Sequence, residues 1–227
     1  SGDHWFGTDA GGRDVFARAV WGARISLVVG AFAIVFGMVV GGALGMLAGF
    51  LRGRVDQVVS FLFFTILSFP ALVLAILITS TFDRSLRNVA LILGILAVAP
   101  VGRLARAQTL VFAEREFVQA ARVVGAKNGR ILVRELLPNV LIPMSALALL
   151  GMGVAIVAEG GLAFLGQSVE NGMSWGKLIN ESRSVRDLQE APHVAFSIII
   201  VMFLTILALN FAGDRLREYF DVRETAF

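Results

Sequence analysis

"EFVQAARVVGAKNGRILVRELLPN", running from Glu116 to Asn139, is the most charged long stretch of a chain that is otherwise largely apolar. Phe117, Ala120, Ala121 and Val124 recur at i, i+3, i+4 and i+7, so they share one face of a helix, with Arg115, Gln119 and Arg122 off that face. Gly125 can stop this helix as a left-handed cap. Asn128 can cap a second short helix, and Pro138 closes that one where the next apolar run begins. The expectation is a helix, a sharp turn and a helix, with Lys127, Asn128 and Arg130 presented outward at the turn. A basic amphipathic helix lying on lipid headgroups is the plainer alternative, but breaks at glycine and proline suit a fixed, protruding elbow better.

The rest of the 227 residues says what such an elbow protrudes from. Hydrophobic residues make up 57% and charged residues 16%, with a mean hydropathy of +0.79, well to the apolar side of soluble domains. The absence of Cys excludes disulfides, thiolate metal sites and cysteine nucleophiles, and two His leave little for a metal cluster. The net charge is only +3 and no basic block stands without interleaved acids or apolar residues, so membrane lipid and not nucleic acid is the expected partner. Gaps between charges long enough to cross a bilayer run from Ile25 to Leu51, Gln57 to Phe82, Leu136 to Ala158 and Ala191 to Gly213. A shorter one, Asn88 to Gly102, completes five expected spans if its helix continues through Arg103 and Arg106. Arg52 and Arg54, the cluster from Arg103 to Arg134, and Arg215, Arg217 and Arg223 then share one side, which the positive-inside rule makes cytoplasmic, C-terminus included. The resulting layout is a single membrane domain over 1–227 with an outer leader at 1–24, a cytoplasmic loop at 113–138 and an outer loop at 164–190. An odd number of spans with an outer N-terminal segment also leads us to expect a preceding helix.

Three features inside that layout stand out. Gly37, Gly41, Gly45 and Gly49 are spaced by four, with Gly30 one heptad earlier, which makes a groove for an intimately packed helix in this chain or another. Glu159, in "VAEGGLAFLG", is an acid at a span end where it is expected to reach water. A structural or gating role fits it better than proton coupling, because no second ionisable group lies nearby in sequence. The outer loop reads as solvated, with Trp175 as an interfacial anchor and Pro192 as a helix start.

"VQAARVVGAKNGRILVRELLPN" resembles the EAA loop of ABC importer membrane subunits. Ala120, Ala121, Gly125, Leu137 and Pro138 match that motif by position, while Gln119 replaces its Glu. "FGTDAGGRDVFARAVWGARISLVVG", "AEGGLAFLG", "SWGKLI" and "NFAGDRLRE" are similar to the second permease subunit of the dipeptide, oligopeptide and nickel family. "QSVENGM" stands where that family has a proline-rich piece. The resemblance implies an all-α, polytopic inner-membrane protein, a type I ABC importer transmembrane domain with a MetI-like core of five helices and one further N-terminal helix. It implies a homologous second permease, two cytoplasmic ATPases that bind ATP and Mg, and an extracytoplasmic substrate-binding protein that delivers peptides. The coupling contact would be made by Gln119, Ala120, Ala121, Gly125, Ala126, Lys127, Asn128, Leu137 and Pro138. No catalytic site, cofactor or metal is expected in this chain, which has no G-x-x-x-x-G-K-[ST] loop. The competing classes are an ATP-independent secondary transporter or channel, which needs polar groups near the bilayer midplane, and a membrane-embedded enzyme, for which no convincing nucleophile and base occur.

Overall fold

The computed structural model describes residues 4–167 and 169–224, with side chains described as far as Phe220. The first three residues of the expected leader, Ser168 of the outer loop and the Arg223 side chain therefore lie outside the described residues. The described chain is almost wholly helical: α1 Val15–Leu51, α2 Gly53–Leu67, α3 Ala71–Thr79, α4 Leu86–Phe112, α5 Glu116–Val123, α6 Asn128–Phe164, α7 Trp175–Glu181, α8 Val185–Glu190 and α9 Pro192–Glu224. Four of these, α1, α4, α6 and α9, are long and apolar enough to cross a membrane. A fifth span forms if α2 and α3 are taken together, but the chain bends by 84° between them.

That bend corrects the uninterrupted second span expected from Gln57 to Phe82. Pro70 cannot donate to a helical ladder and biases Phe69 away from helical torsions. Upstream of it, the hydroxyls of Thr65 and Ser68 fold back onto the carbonyls of Phe61 and Phe64, at 2.9 and 2.7 Å, a pattern that weakens and bends helices. The shorter third span proves continuous, as 27 residues of α4. The first helix starts at Val15, inside the segment expected as the leader.

Two further expectations about the elbow change. Asn128 is not a cap: Lys127, extended at φ −68° and ψ 148°, precedes the helix, and Asn128 is its first residue. Pro138 does not end a short helix either, because α6 runs through it to Phe164. The six residues before Leu137, Ile131–Leu136, form a widened π turn. This displaces the carbonyls that a proline ring would otherwise meet, and the Asn139 side-chain amide donates to the Glu135 carbonyl at 2.6 Å.

The chain forms two compact units. One contains residues up to Ala33, Leu72–Leu93 and Met152–Asn210; the other contains Ile34–Ala71, Gly94–Gly151 and the chain from Phe211 onward. The core of the first is built on Val15, Ala19, Ile156, Trp175, Leu178, Val194 and Ile198. Its leader is pinned by Asp9, which accepts from the backbone of Gly11 and Arg13 and from the Arg13 and Arg18 guanidiniums. Burial alone would push the Asp9 carboxyl up, but those backbone donors and the Arg13 guanidinium together hold it below its ordinary value.

The second unit contains the glycine stripe, and its partner lies in this chain. A Cβ on Gly41 would come within 2.3 Å of the Val98 carbonyl oxygen, on Gly45 within 2.1 Å of that of Gly102, and on Gly49 within 2.8 Å of that of Arg106. Gly37 abuts Ala97 in the same way. The contacts climb together along α1 and α4, so the two helices run parallel here with their backbones touching. Gly30 belongs elsewhere: it faces Ile156 and Met152 of α6.

Candidate functional site

The elbow is turned by a Schellman motif. The Gly125 N–H donates to the Arg122 carbonyl and the Ala126 N–H to the Ala121 carbonyl, both at 3.0 Å, while Gly125 takes φ +84°. That torsion is open to glycine and strained for other L-residues. The two positions whose apolar contact usually closes the motif are Ala121 and Ala126, both half-buried against the second unit's core. That core comprises Met46, Ala105, Val118, Ile131, Leu136, Val140 and Met144. The elbow is thus clamped at both ends, through Val118 on α5 and Ile131 on α6.

The face of α5 that is buried is not the one expected. Val118 and Ala121 point inward, whereas Phe117, Ala120 and Val124 stay exposed. Val123 and Val124 are 88% and 87% exposed. Val118, the one buried residue of this helix, sets its roll. Lys127, Asn128, Gly129 and Arg130 are exposed next to these valines, Leu137 is half-buried and Pro138 is exposed. Gln119, also exposed, donates from Nε2 to the Glu114 carbonyl at 3.1 Å. A glutamate carboxylate has no proton to make that bond, so the departure from the motif replaces a charge with a local backbone tie.

Around the elbow, guanidiniums tie the adjoining helix ends. Arg106 makes a bidentate pair with Asp56, with Nη2 at 2.6 Å, and Arg52 pairs with Glu114. The Arg122 guanidinium lies 5.7 Å from the centroid of the Phe50 ring.

At the other candidate, in the first unit, the structure corrects two expectations. Glu159 is 0% exposed, not at the water's edge. Its Oε2 accepts from the Ser26 hydroxyl at 3.1 Å. Trp175 is 1% exposed, so it is a core residue and not an interfacial anchor. Its indole N–H donates to the Ala19 carbonyl at 2.8 Å and its backbone N–H to Ser26 Oγ at 3.1 Å. The described residues of the loop at 164–190 are correspondingly folded: Arg84 donates to Glu170 and to the Gly166 carbonyl, and the Lys177 ammonium to the carbonyls of Glu170 and Gly172. Ser26 was missed in the sequence, although Gly22, Ser26 and Gly30 form a small-residue row at intervals of four that signals a packed face.

The structure is that of a multi-pass helical membrane subunit, with its glycine groove filled from within and its anchored elbow left bare. Comparison with known proteins agrees. Residues 41–225 match the family model for the binding-protein-dependent transport system inner membrane component, and the chain belongs to that family. It is 40% identical over 222 residues to the dipeptide transport system permease protein DppC of Alkalihalophilus pseudofirmus, covering 97% of this chain and 72% of that one. It is 36% identical to the glutathione transport system permease protein GsiD of Pectobacterium atrosepticum, covering 97% and 73%. Its fold is that of a chain of the methionine ABC transporter MetNI in an inward-facing conformation, with a TM-score of 0.73, 18% identity and coverage of 90% and 96%. The chain is therefore a permease subunit of an ATP-driven ABC importer.

Proposed function

We propose that this permease forms half of a translocation pathway for peptides, from dipeptides to glutathione-like tripeptides, and that the elbow around Gly125 is its coupling contact with a cytoplasmic ATPase. The other half of the pathway is a homologous second permease. Two ATPases supply ATP and Mg2+ chemistry, and an extracytoplasmic binding protein delivers the cargo. The elbow and the C-terminus face the cytoplasm, as the Arg and Lys distribution requires.

The observation that carries the coupling assignment is the bare apolar face on a rigid mount. Val123 and Val124 are almost fully exposed, yet Val118 and Ile131, on either side of the turn, are fully buried. An apolar surface held this stiffly transmits displacement from whatever seats on it into α4 and α6, which pack the same core. Lys127 and Arg130 beside it favour an acidic rim on the partner. The peptide assignment rests on the names of the relatives at 40% and 36% identity.

Replacing Val123 and Val124 together by Asp tests the docking. The fold should survive, since neither side chain is buried, but the ATPases should no longer co-purify and ATP-dependent uptake should be lost. Retention of both the ATPases and uptake would remove the coupling role from this surface. Mass spectrometry of the ligand carried by the co-purified binding protein tests the cargo.

A further inference from the structure

We infer that Ser26 and Glu159 are positioning residues that latch α7 into the outer end of the permease, and that transport requires this latch to open; the inference rests on the importer reading above. The helix α7 lies in the polar outer loop, yet Trp175, Gly176 and Leu178 are buried. Its anchor points, Ser26 and Glu159, are fully buried in the protein. Ser26 stands eleven residues into α1 from Val15, about 16 Å along the axis, and Glu159 five residues before the end of α6, about 7 Å. A short helix seated this far inside the protein needs protein partners for its backbone donors.

The satisfaction comes from a relay across three elements. The N–H of Trp175, one of the orphan donors at the start of α7, is accepted by Ser26 Oγ at 3.1 Å. The Ser26 hydroxyl then donates to Glu159 Oε2 at 3.1 Å. Within α7 itself, Ser174 Oγ caps the Lys177 N–H at 3.2 Å, and at the far end Arg18 donates to Glu181 at 2.6 Å. Packing is close alongside: a Cβ on Gly176 would lie 2.5 Å from the Gly160 Cα, and one on Gly22 3.0 Å from the Leu178 side chain at Cδ1.

Packing of this kind holds a helix without help from an acid. A carboxylate buried in protein, as Glu159 is, is costly and regains that cost when water reaches it. Glu159 therefore biases the element toward two states: closed, with the relay made, and open, with α7 lifted and the carboxylate hydrated. An apolar residue at 159 would favour only the closed one.

The chain contains no cysteine, so Leu178→Cys introduces a single thiol into it at a buried position of α7. In the assembled complex in proteoliposomes, that thiol should react slowly with a membrane-impermeant thiol reagent added outside. Adding Ser26→Ala should speed the reaction about tenfold or more, the factor carried by one charge-assisted hydrogen bond in a local opening equilibrium. Glu159→Gln keeps size and an acceptor oxygen but drops the charge. It should blunt the acceleration of labelling that ATP and loaded binding protein cause, and lower the kcat of uptake with little change in KM. Equal labelling with and without Ser26→Ala overturns the latch. If Ser26→Ala does not assemble, ATP-dependent labelling in the Glu159→Gln background that matches the parent overturns it instead. A parent complex that hydrolyses no ATP and imports nothing defeats the importer reading, while labelling of the introduced thiol at rest still decides the latch.

Discussion

Gly45→Ala should be among the most damaging single-methyl additions in the protein, while Gly42→Ala, three residues earlier on the same helix, should be harmless. The Cβ at position 45 would sit 2.1 Å from the Gly102 carbonyl oxygen, where ordinary contact begins at 3.4 Å. The two helices must therefore part by about 1.3 Å, and nothing flexible absorbs the movement, because the obstructing atom is backbone. Nor is α4 free to retreat. Gly102 is closed in by Phe63, whose Cζ would lie 2.2 Å from a Cβ there, and Phe63 is itself buried. Overpacking costs about 1–3 kcal/mol where side chains can adjust, so about 3 kcal/mol is the expected loss. For a chain of this size that corresponds to a Tm roughly 6–12 °C lower. At Gly42 the new methyl meets only the end of Met144, at 3.5 Å, and better helix propensity offsets the contact. Thermal unfolding of the two purified variants in detergent makes the comparison. Equal melting temperatures, or a Gly42→Ala variant as damaged as Gly45→Ala, would refute the parallel, backbone-to-backbone register of α1 and α4.

At the elbow, no atom lies within 4 Å of a Cβ built on Gly125, so any penalty there is conformational. Gly125→Val should strain the turn by about 1–2 kcal/mol and lower transport-stimulated ATP hydrolysis, and Gly125→Asn, which tolerates the left-handed region, should lose less; identical activities would separate coupling from turn geometry. In the leader, the depressed Asp9 pKa means that its carboxylate contributes stability above the unfolded value of about 3.9, and that this contribution is lost as pH falls through the lower folded value. At pH 4 pepsin should therefore cut the segment around residues 9–18 faster in Asp9→Asn than in the parent, and the difference should narrow as pH falls; parent and variant cut at equal rates at pH 4 would contradict the staple.

How far the sequence could be read depended on which signal each feature leaves. Gaps between charges located α1, α4, α6 and α9, because ionisable side chains are excluded from the bilayer core. The same criterion is blind to a break with no charge in it, and so it missed the bend between α2 and α3, whose marks are Pro70 and the hydroxyls of Thr65 and Ser68. The Gly125 turn was legible because a left-handed cap has a residue preference of its own. The roll of α5 was not, since Phe117, Ala120, Val118 and Ala121 are all apolar or small and only the position of Met46 and Ala105, distant in sequence, selects Val118. The burial of Trp175 was likewise hidden by the Asn, Ser and charged residues around it. A tertiary contact with Ala19 and Ser26, about 150 residues away, decides it.

Glycine shows most directly why pattern alone stops short of function. Gly41 and Gly45 are needed because another backbone occupies the space a side chain would take. Gly125 and Gly129 have nothing within 4 Å, and there only Gly125, at φ +84°, is required by torsion. The first pair makes a rigid joint between spans, since separating the helices breaks contact along the whole row. The second leaves a surface free of side-chain bulk, which is what a docking partner needs in order to come close. The proposed coupling role requires both properties at once: a handle open to a partner, and spans that move with the handle instead of yielding between themselves. The fully buried Val118 and Ile131 join the two, so on that proposal a displacement of the elbow would reach α1 and α4 through Met46 and Ala105, which share their core, before it could be lost in the turn.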